Sequence, residues 1–514
     1  MKRRRMEVDL SELDQLLDQA KEAPLSEPDC NKIKTALHTL AELLAPRTTE
    51  RSSQVLENAA AEADPSRQPE VHREKPNGHG RNPATAYSGA KKVAIVHAEL
   101  KHGGACPECP RGKVYTQKEP KPLVRIVGQA PLSATVYELE RLRCNACGQV
   151  FTAAEPQGVG TEKFDETAAA MIAQLKYGSG VPFNRLKDLE ARMGIPLPST
   201  TLWEVVEEAA DLVKPVREEL IRQAAQGELM HNDDTSMRVL QLARPPDDER
   251  TGVFTSGIVS LGEGRRIALF FTGRQHAGEN LGQLLQQRAG SLAAPMQMCD
   301  ALSRNEPKLS KGVEILLANC LAHGRRQFVD LVGSFPQECR YVLETLGRVY
   351  ANDAEARECG LSRTARLIFH QEKSGPLMEE LRKWGQDQLA QKKTEPNSGL
   401  GKAIAYFERH WKALTLFLRE PGAPLDNNVC ERALKKAVLH RKNALFYRTA
   451  HGAEVGDCFM TLIHTCELNR ANSFEYLVEL QRHAAELAVS PAEWMPWNYR
   501  AKLSEAGHSE CAPK

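Results

Sequence analysis

Residues 228–242, ELMHNDDTSMRVLQL, carry two adjacent acids, Asp233 and Asp234, inside a run that otherwise reads as a β-strand. Two more strand candidates follow, TGVFTSGIVSL at 251–261 and RRIALFFTG at 265–273, joined by a glycine-containing turn at Gly262–Gly264. A helix is predicted in ENLGQLLQQR (279–288) and a strand in PMQMCDAL (295–302), which places Asp300 at a strand end. GVEILLANCLAHGRRQF (312–328) reads as a strand running into a helix. Beyond it the chain turns helical until about Glu420, and LDNNVCERALKKAVLHRKNALFY (425–447) comes after that interruption.

Three antiparallel strands followed by alternating helix and strand is the element order of a ribonuclease H-like fold, an α/β sheet with acids at its strand ends. The expected organisation is multidomain α/β. Helices rich in leucine and alanine span 1–45, and their apolar stripes either self-associate or dock on the rest of the chain. A flexible linker of Pro, Ser, Asn, Gly, Glu and Arg covers 46–92. A small cysteine-bearing β domain is expected at 93–155, with short strands such as Leu123–Val127 and Thr135–Arg143. Residues 156–226 form a helical segment, either a helix-turn-helix DNA-binding arrangement or an ordinary helical subdomain, with the Ser199 hydroxyl placed to cap its last helix. The catalytic core occupies 227–330 and 421–470, split by a helical insertion at 331–420, and 471–514 is a C-terminal segment.

A chain of 514 residues with 41% hydrophobic content is long enough for several cores. No window approaches the roughly 18 uninterrupted apolar residues of a membrane span, and the basic start MKRRRMEVDL leads into polar sequence, so a cytoplasmic location without membrane contact is expected. The net charge of +1 confines any nucleic-acid affinity to local basic patches. The 13 cysteines fall mostly singly outside two CxxC pairs, which predicts reduced thiols and a metal site instead of a disulfide framework.

Three constellations carry chemistry. CPEC and CNAC offer Cys106, Cys109, Cys144 and Cys147 as four thiolates for one structural Zn²⁺, the alternative being reduced buried cysteines; His102 is a bystander. Asp233, Asp300 and Glu431 are candidate ligands of Mg²⁺ or Mn²⁺, with Asp234 in reserve for the first. Converging carboxylates need a cation to hold them, and Mg²⁺ takes oxygen ligands while keeping positions for water and phosphate. Two such ions roughly 3.5–4 Å apart support in-line phosphoryl displacement. Arg432, Lys435, Lys436, Arg441 and Lys442, with Arg304, Arg325 and Arg326, are candidate contacts to a DNA backbone, the alternative being solvated helix faces. Cys320 and His323 lie near the arginine pair but make only two ligands of an incomplete site, so packing and DNA contact are their expected roles. Asp426, Asn427 and Asn428 read as the turn and cap of the helix that carries Glu431.

MHNDDTSMRVL, MQMCD, CLAHGRRQF and the DNNVCER…RKN run resemble, in order, the signature blocks of IS66 insertion-sequence transposases. CELNRANSFEYLVELQRHAAEL and EWMPWNYRA resemble that family's C-terminal segment, the CxxC pairs its zinc domain, and the N-terminal helices its zipper-like region. The resemblance implies that Asp233, Asp300 and Glu431 form a DDE triad. It further implies a DNA transposase that cuts element ends and joins their 3′ hydroxyls to target DNA. Its partners would be terminal inverted repeats, target DNA, further copies of the chain and small accessory proteins of the element, with nucleoid association when bound. Ser236 stands where the family has proline, and Ala301 and Leu302 where it has glycine and tyrosine. Two other readings are a catalytically inactive inverted-repeat binding protein and a metal-dependent nuclease.

Overall fold

In a computed structural model of the chain, the described residues are Val55, 94–95 and most of 97–509, apart from 109–110, 118–129, 144–149, 155, 158–161, 244–249 and 310–313. The chain divides into two compact units, Met1–Pro69 with Val332–Glu344, and Glu70–Leu331 with Thr345–Lys514. The zipper-like helices expected at 1–45, the linker at 46–92 and the strand expected at Leu123–Val127 lie outside the described residues, Val55 excepted. The sheets lie in the second unit.

Its strands are β1 (Arg141–Arg143), β2 (Val150–Thr152), β3 (Leu229–Ser236), β4 (Val239–Gln241), β5 (Phe254–Gly262), β6 (Arg265–Gly273), β7 (Met296–Cys299), β8 (Leu316–Asn319) and β9 (Tyr447–Thr449). Its helices include α1 (Glu166–Ala173), α2 (Phe183–Arg192), α3 (Ser199–Ala224), α4 (Ala277–Leu285), α5 (Leu321–Val329), α6 (Pro336–Glu358, of which 345–358 belongs to this unit), α7 (Arg363–Lys373), α8 (Gly375–Ala390), α9 (Gly399–Leu414), α10 (Asn428–Ala444), α11 (Ala450–Leu468) and α12 (Ser473–Arg482).

A five-stranded mixed sheet in the order β6-β5-β3-β7-β8 forms the centre. β3, β5 and β6 make an antiparallel meander, while β7 and β8 run parallel to β3. The 228–242 stretch is not one strand. The ladder with β5 runs one residue past Ser236, through the Met237 amide to the Val253 carbonyl, and the chain then resumes as β4, which leaves the sheet to pair in parallel with β9. The strand expected at Thr135–Arg143 is confined to β1.

Side-chain alternation sends Asp233 and its cross-strand neighbour Gly257 to one face, and Asp234 and Ser256 to the other. α10 covers the first face. Leu434 and Cys430 lie directly over Gly257, where a Cβ would come within 2.9 Å of the Leu434 side chain, so only glycine lets the helix approach this closely. α4 covers the second face, with Asn280 donating to the Ser256 hydroxyl.

The β6 edge is closed by a helix. Asp457, Thr461, Thr465 and Asn469, one per turn along α11 and just past its end, accept from the amides of Thr272, Phe270, Ala268 and Arg266 at 2.6, 3.2, 3.1 and 3.3 Å. Four helical residues rise about 6 Å and two strand residues about 6.8 Å, so the two ladders stay nearly in step over this length. An edge whose outward amides would otherwise be open to pairing is thereby satisfied.

α3 begins at Ser199, and Pro198 holds the cap position without a side-chain bond. The Ser199 hydroxyl is thus one residue too late to cap the helix as expected. α12 packs on α1 and α3, and the Tyr476 hydroxyl donates to the Trp494 carbonyl at 2.6 Å, so the C-terminal segment shares its core with the 161–225 helices.

Candidate active site

The parallel register of β3 and β7 pairs His231 with Met298. Two residues further along, Asp233 lies within β3 and Asp300 comes directly after the end of β7, so the continued alternation brings the two acids to the same face. Asn305, in the short helical turn after Asp300, donates its side-chain amide to both, to Asp233 Oδ1 at 3.1 Å and to Asp300 Oδ1 at 2.5 Å. The Asp234 amide also donates to Asp233 Oδ1, at 2.8 Å. Burial pushes the Asp233 carboxyl up to about 7, and the Asp300 charge adds to it. A buried carboxyl beside a second acid disfavours its own charged form.

Asp234, the reserve ligand, is engaged elsewhere. Its side chain is 1% exposed, bonded to His276 Nδ1 at 2.7 Å and 3.4 Å from the Arg304 guanidinium. Strand alternation, and not chance, decides which of the adjacent acids meets Asp300.

The third acid, Glu431, stands in the first turn of α10, over the face that carries Asp233. The N-terminus of that helix is pinned next to Asp233: the Asn427 side chain donates to the Asn232 carbonyl at 3.1 Å and bonds His231 Nδ1 at 3.0 Å. With its Nδ2 committed to a carbonyl, Asn427 offers Oδ1, so the ring nitrogen of His231 is the donor. Burial holds the His231 pKa down to about 4, in keeping with a neutral ring. Asn427 therefore does not cap the helix; Asp426 does the local work by accepting from the Asn428 amide at 3.1 Å.

Glu431 keeps company that the sequence alone did not pair with it. Its Oε1 lies 3.9 Å from His323 Nδ1, and donor atoms of Cys320, His323 and Glu431 all fall within 4.8 Å of one another. Cys320 follows β8 and is fully buried. Glu431 thus adds a third potential ligand group to the two that the sequence placed together.

The cations divide by environment. Arg432, Lys435 and Lys442 are exposed and fall within an arc of about 80° on one side of α10. Lys436 instead pairs with Glu467 at 2.8 Å, and Arg441 clamps Ser236 and Thr235 at the end of β3. Arg325 is buried and Arg326 half-buried.

Of the four knuckle cysteines, Cys109, Cys144 and Cys147 lie outside the described residues. Half-buried Cys106 donates its amide to the Gly112 carbonyl at 2.9 Å within a tight loop closed by the Ala105–Lys113 bridge, and the antiparallel pair β1–β2 flanks 144–149. His102 Nδ1 accepts from the Thr116 amide at 3.2 Å. Sequence reasoning missed Asn305 and His276; a polar turn five residues after a strand-end acid was the available signal for Asn305.

Fold and site together define a mixed α/β protein with one acid inside β3 and a second just past the end of the adjacent parallel strand β7, bridged by Asn305. The model of the family described as "Transposase IS66 family" matches residues 162–455, more than half of the chain, and the chain belongs to that family. The match spans the whole five-stranded sheet and the helices from α1 to α10. Two similar proteins of Sinorhizobium fredii, both named as uncharacterized, are y4hP, 26% identical over 70% of this chain and 67% of its own length, and y4jD, 27% identical over 70% and 71%. Membership supports a transposase role. No helix among the described residues is long and apolar enough to cross a membrane.

Proposed function

We propose that this protein is a DDE-type DNA transposase whose sheet is a ribonuclease H-like catalytic core. The observation that carries the reading is the side-by-side register of Asp233 and Asp300 beneath the helix that bears Glu431. The raised Asp233 carboxyl and the single amide between the two acids fit a divalent ion of the Mg²⁺ type. Asp233 and Asp300 would hold it, with Glu431 completing the set. Bound there, such an ion supplies charge neutralisation for phosphoryl transfer and an activated attacking oxygen.

The chain's own groups do the rest. Asn305 fixes the spacing of the two aspartates, and Asn427 aims the start of α10. Arg432, Lys435 and Lys442 hold the phosphate backbone so that the scissile phosphate meets the acids, with affinity falling steeply as salt rises. The cysteine knuckles would carry a structural Zn²⁺, and together with α1–α3 they would recognise the terminal inverted repeats, two copies of the chain acting on the two ends.

Asp233→Asn, Asp300→Asn and Glu431→Gln proteins assayed on element-end DNA test this. Each is expected to lose Mg²⁺-dependent cleavage and strand transfer by about 10³-fold or more while shifting the same DNA in a gel. Retained chemistry in any one of them removes that acid from the site; retained chemistry in all three overturns the reading. Cleavage without joining by the wild type would mark a nuclease.

A further inference from the structure

We propose that Cys320, His323 and Glu431 form a separate cation site that takes one borderline-soft divalent ion, Zn²⁺ or Co²⁺, through one sulfur, one nitrogen and one oxygen. Two independent elements build it. Cys320 is the residue that precedes α5 and His323 lies three positions on in its first turn, so both side chains reach the same side. Glu431 reaches in from the first turn of α10. Three potential ligand atoms within 4.8 Å of one another need only small adjustments to surround an ion with ligand bonds of about 2.0–2.3 Å.

His323 Nδ1 supplies the second observation. The atom is buried without any hydrogen-bond partner, and its nearest carboxylate oxygen, on Glu431, stands at 3.9 Å, too far for a hydrogen bond. A buried ring nitrogen left in this state calls for an explanation, and a metal bond supplies one. The Asn427 amide donates to Cys320 Sγ at 3.3 Å and fixes the sulfur's position.

The donor set decides the ion. Mg²⁺ takes oxygen ligands, whereas a thiolate with an imidazole selects Zn²⁺ and its relatives. Three protein ligands leave one tetrahedral position open to water or a phosphate oxygen. On binding, the Cys320 S–H bond breaks, its proton leaves to solvent and its electron pair forms the sulfur–metal bond; no electron changes hands. A consequence rests on the function proposed above: Glu431 cannot serve this ion and the Mg²⁺ centre at once, so Zn²⁺ bound here withdraws it and inhibits.

Co²⁺ titration of the full-length protein, with its resident metals left in place, tests the site by the thiolate-to-cobalt charge-transfer absorption. The wild type is expected to bind one more Co²⁺ than Cys320→Ser or His323→Gln, and its difference spectrum against each should contain that band. Any Co²⁺ taken up by the CxxC cysteines is common to all three and cancels. His323 is only partly buried, so His323→Gln tests the site even where the buried serine substitution disturbs folding. Equal stoichiometry and matching spectra for the wild type and His323→Gln would overturn the proposal. Since no DNA takes part, that result leaves the acid assignments standing, and failure of the acid variants in cleavage leaves this site standing.

Discussion

Asn305 stands between two carboxylates that would otherwise repel, and its position follows from the short turn that closes immediately after Asp300. Its backbone carbonyl is held as well, by Asn232 at 2.8 Å and Gln297 at 2.7 Å, both buried. The residue is therefore fixed from the sheet side and has its amide left for the acids. In the proposed site it acts as a positioning residue, and Asn305→Ala separates that role from DNA binding. The variant is expected to slow single-turnover cleavage by about tenfold to a hundredfold, the scale of a misplacement near 1 Å, with gel-shift affinity unchanged. Equal rates for the variant and wild type would remove Asn305 from the site. The same scale explains what was legible. Asp233 and Asp300 could be picked out because acids in strands are conspicuous. Asn305, an ordinary asparagine in a polar connection, carried no comparable signal. Nor did the inward turn of Asn427, because a cap and a buried bridge look alike in a DNN run until the neighbouring strand is known.

At the scale of elements, the meander, the two parallel strands and the helix bearing Glu431 followed from runs of apolar residues broken by glycine and polar turns, so the sheet could be anticipated strand by strand. The closure of its β6 edge could not. Asp457, Thr461, Thr465 and Asn469 sit in a stretch where nearly every residue is buried, so the period of four that matters is hidden among apolar neighbours. Only the strand, with outward amides at every second residue, gives that period a meaning. Thr461→Val tests the ladder with little change of volume. It leaves the buried Phe270 amide without its acceptor and is expected to cost about 1–3 kcal/mol in urea unfolding, while Thr461→Ser retains most of the stability. If valine and serine behaved alike, the hydrogen bond would contribute nothing and packing alone would hold α11 on the edge.

Across the whole second unit, the acids depend on a chain that leaves the sheet after α5 and returns at α10, with the helical insertion in between. The return is anchored at two places. The Leu321 amide donates to the Leu425 carbonyl at 2.9 Å, and Arg366 on α7 donates to the Ala423 carbonyl at 3.0 Å. The same Arg366 grips Asp353 at 2.7 Å, and His370, 1% exposed at its side chain, joins the pair at 3.2 Å. Cys320, His323 and Glu431 meet only because of this return, which is why no local pattern in the sequence announced them together. Burial pushes the Asp353 carboxyl up, but the His370 hydrogen bond and the Arg366 charge outweigh it and hold it down at about 2, against an ordinary 3.8. A depressed carboxyl stabilises the fold fully above its unfolded pKa and loses that contribution as pH falls through the folded one. The window is therefore pH 4 down to 2, and the contribution is about 2 kcal/mol. Urea unfolding of wild type and Asp353→Asn across that range checks it. The wild type should be the more stable near pH 5, and its advantage should shrink steadily to a small remainder near pH 2. Curves that run parallel down to pH 2 would show that Asp353 does not fasten the insertion to the segment that leads into α10.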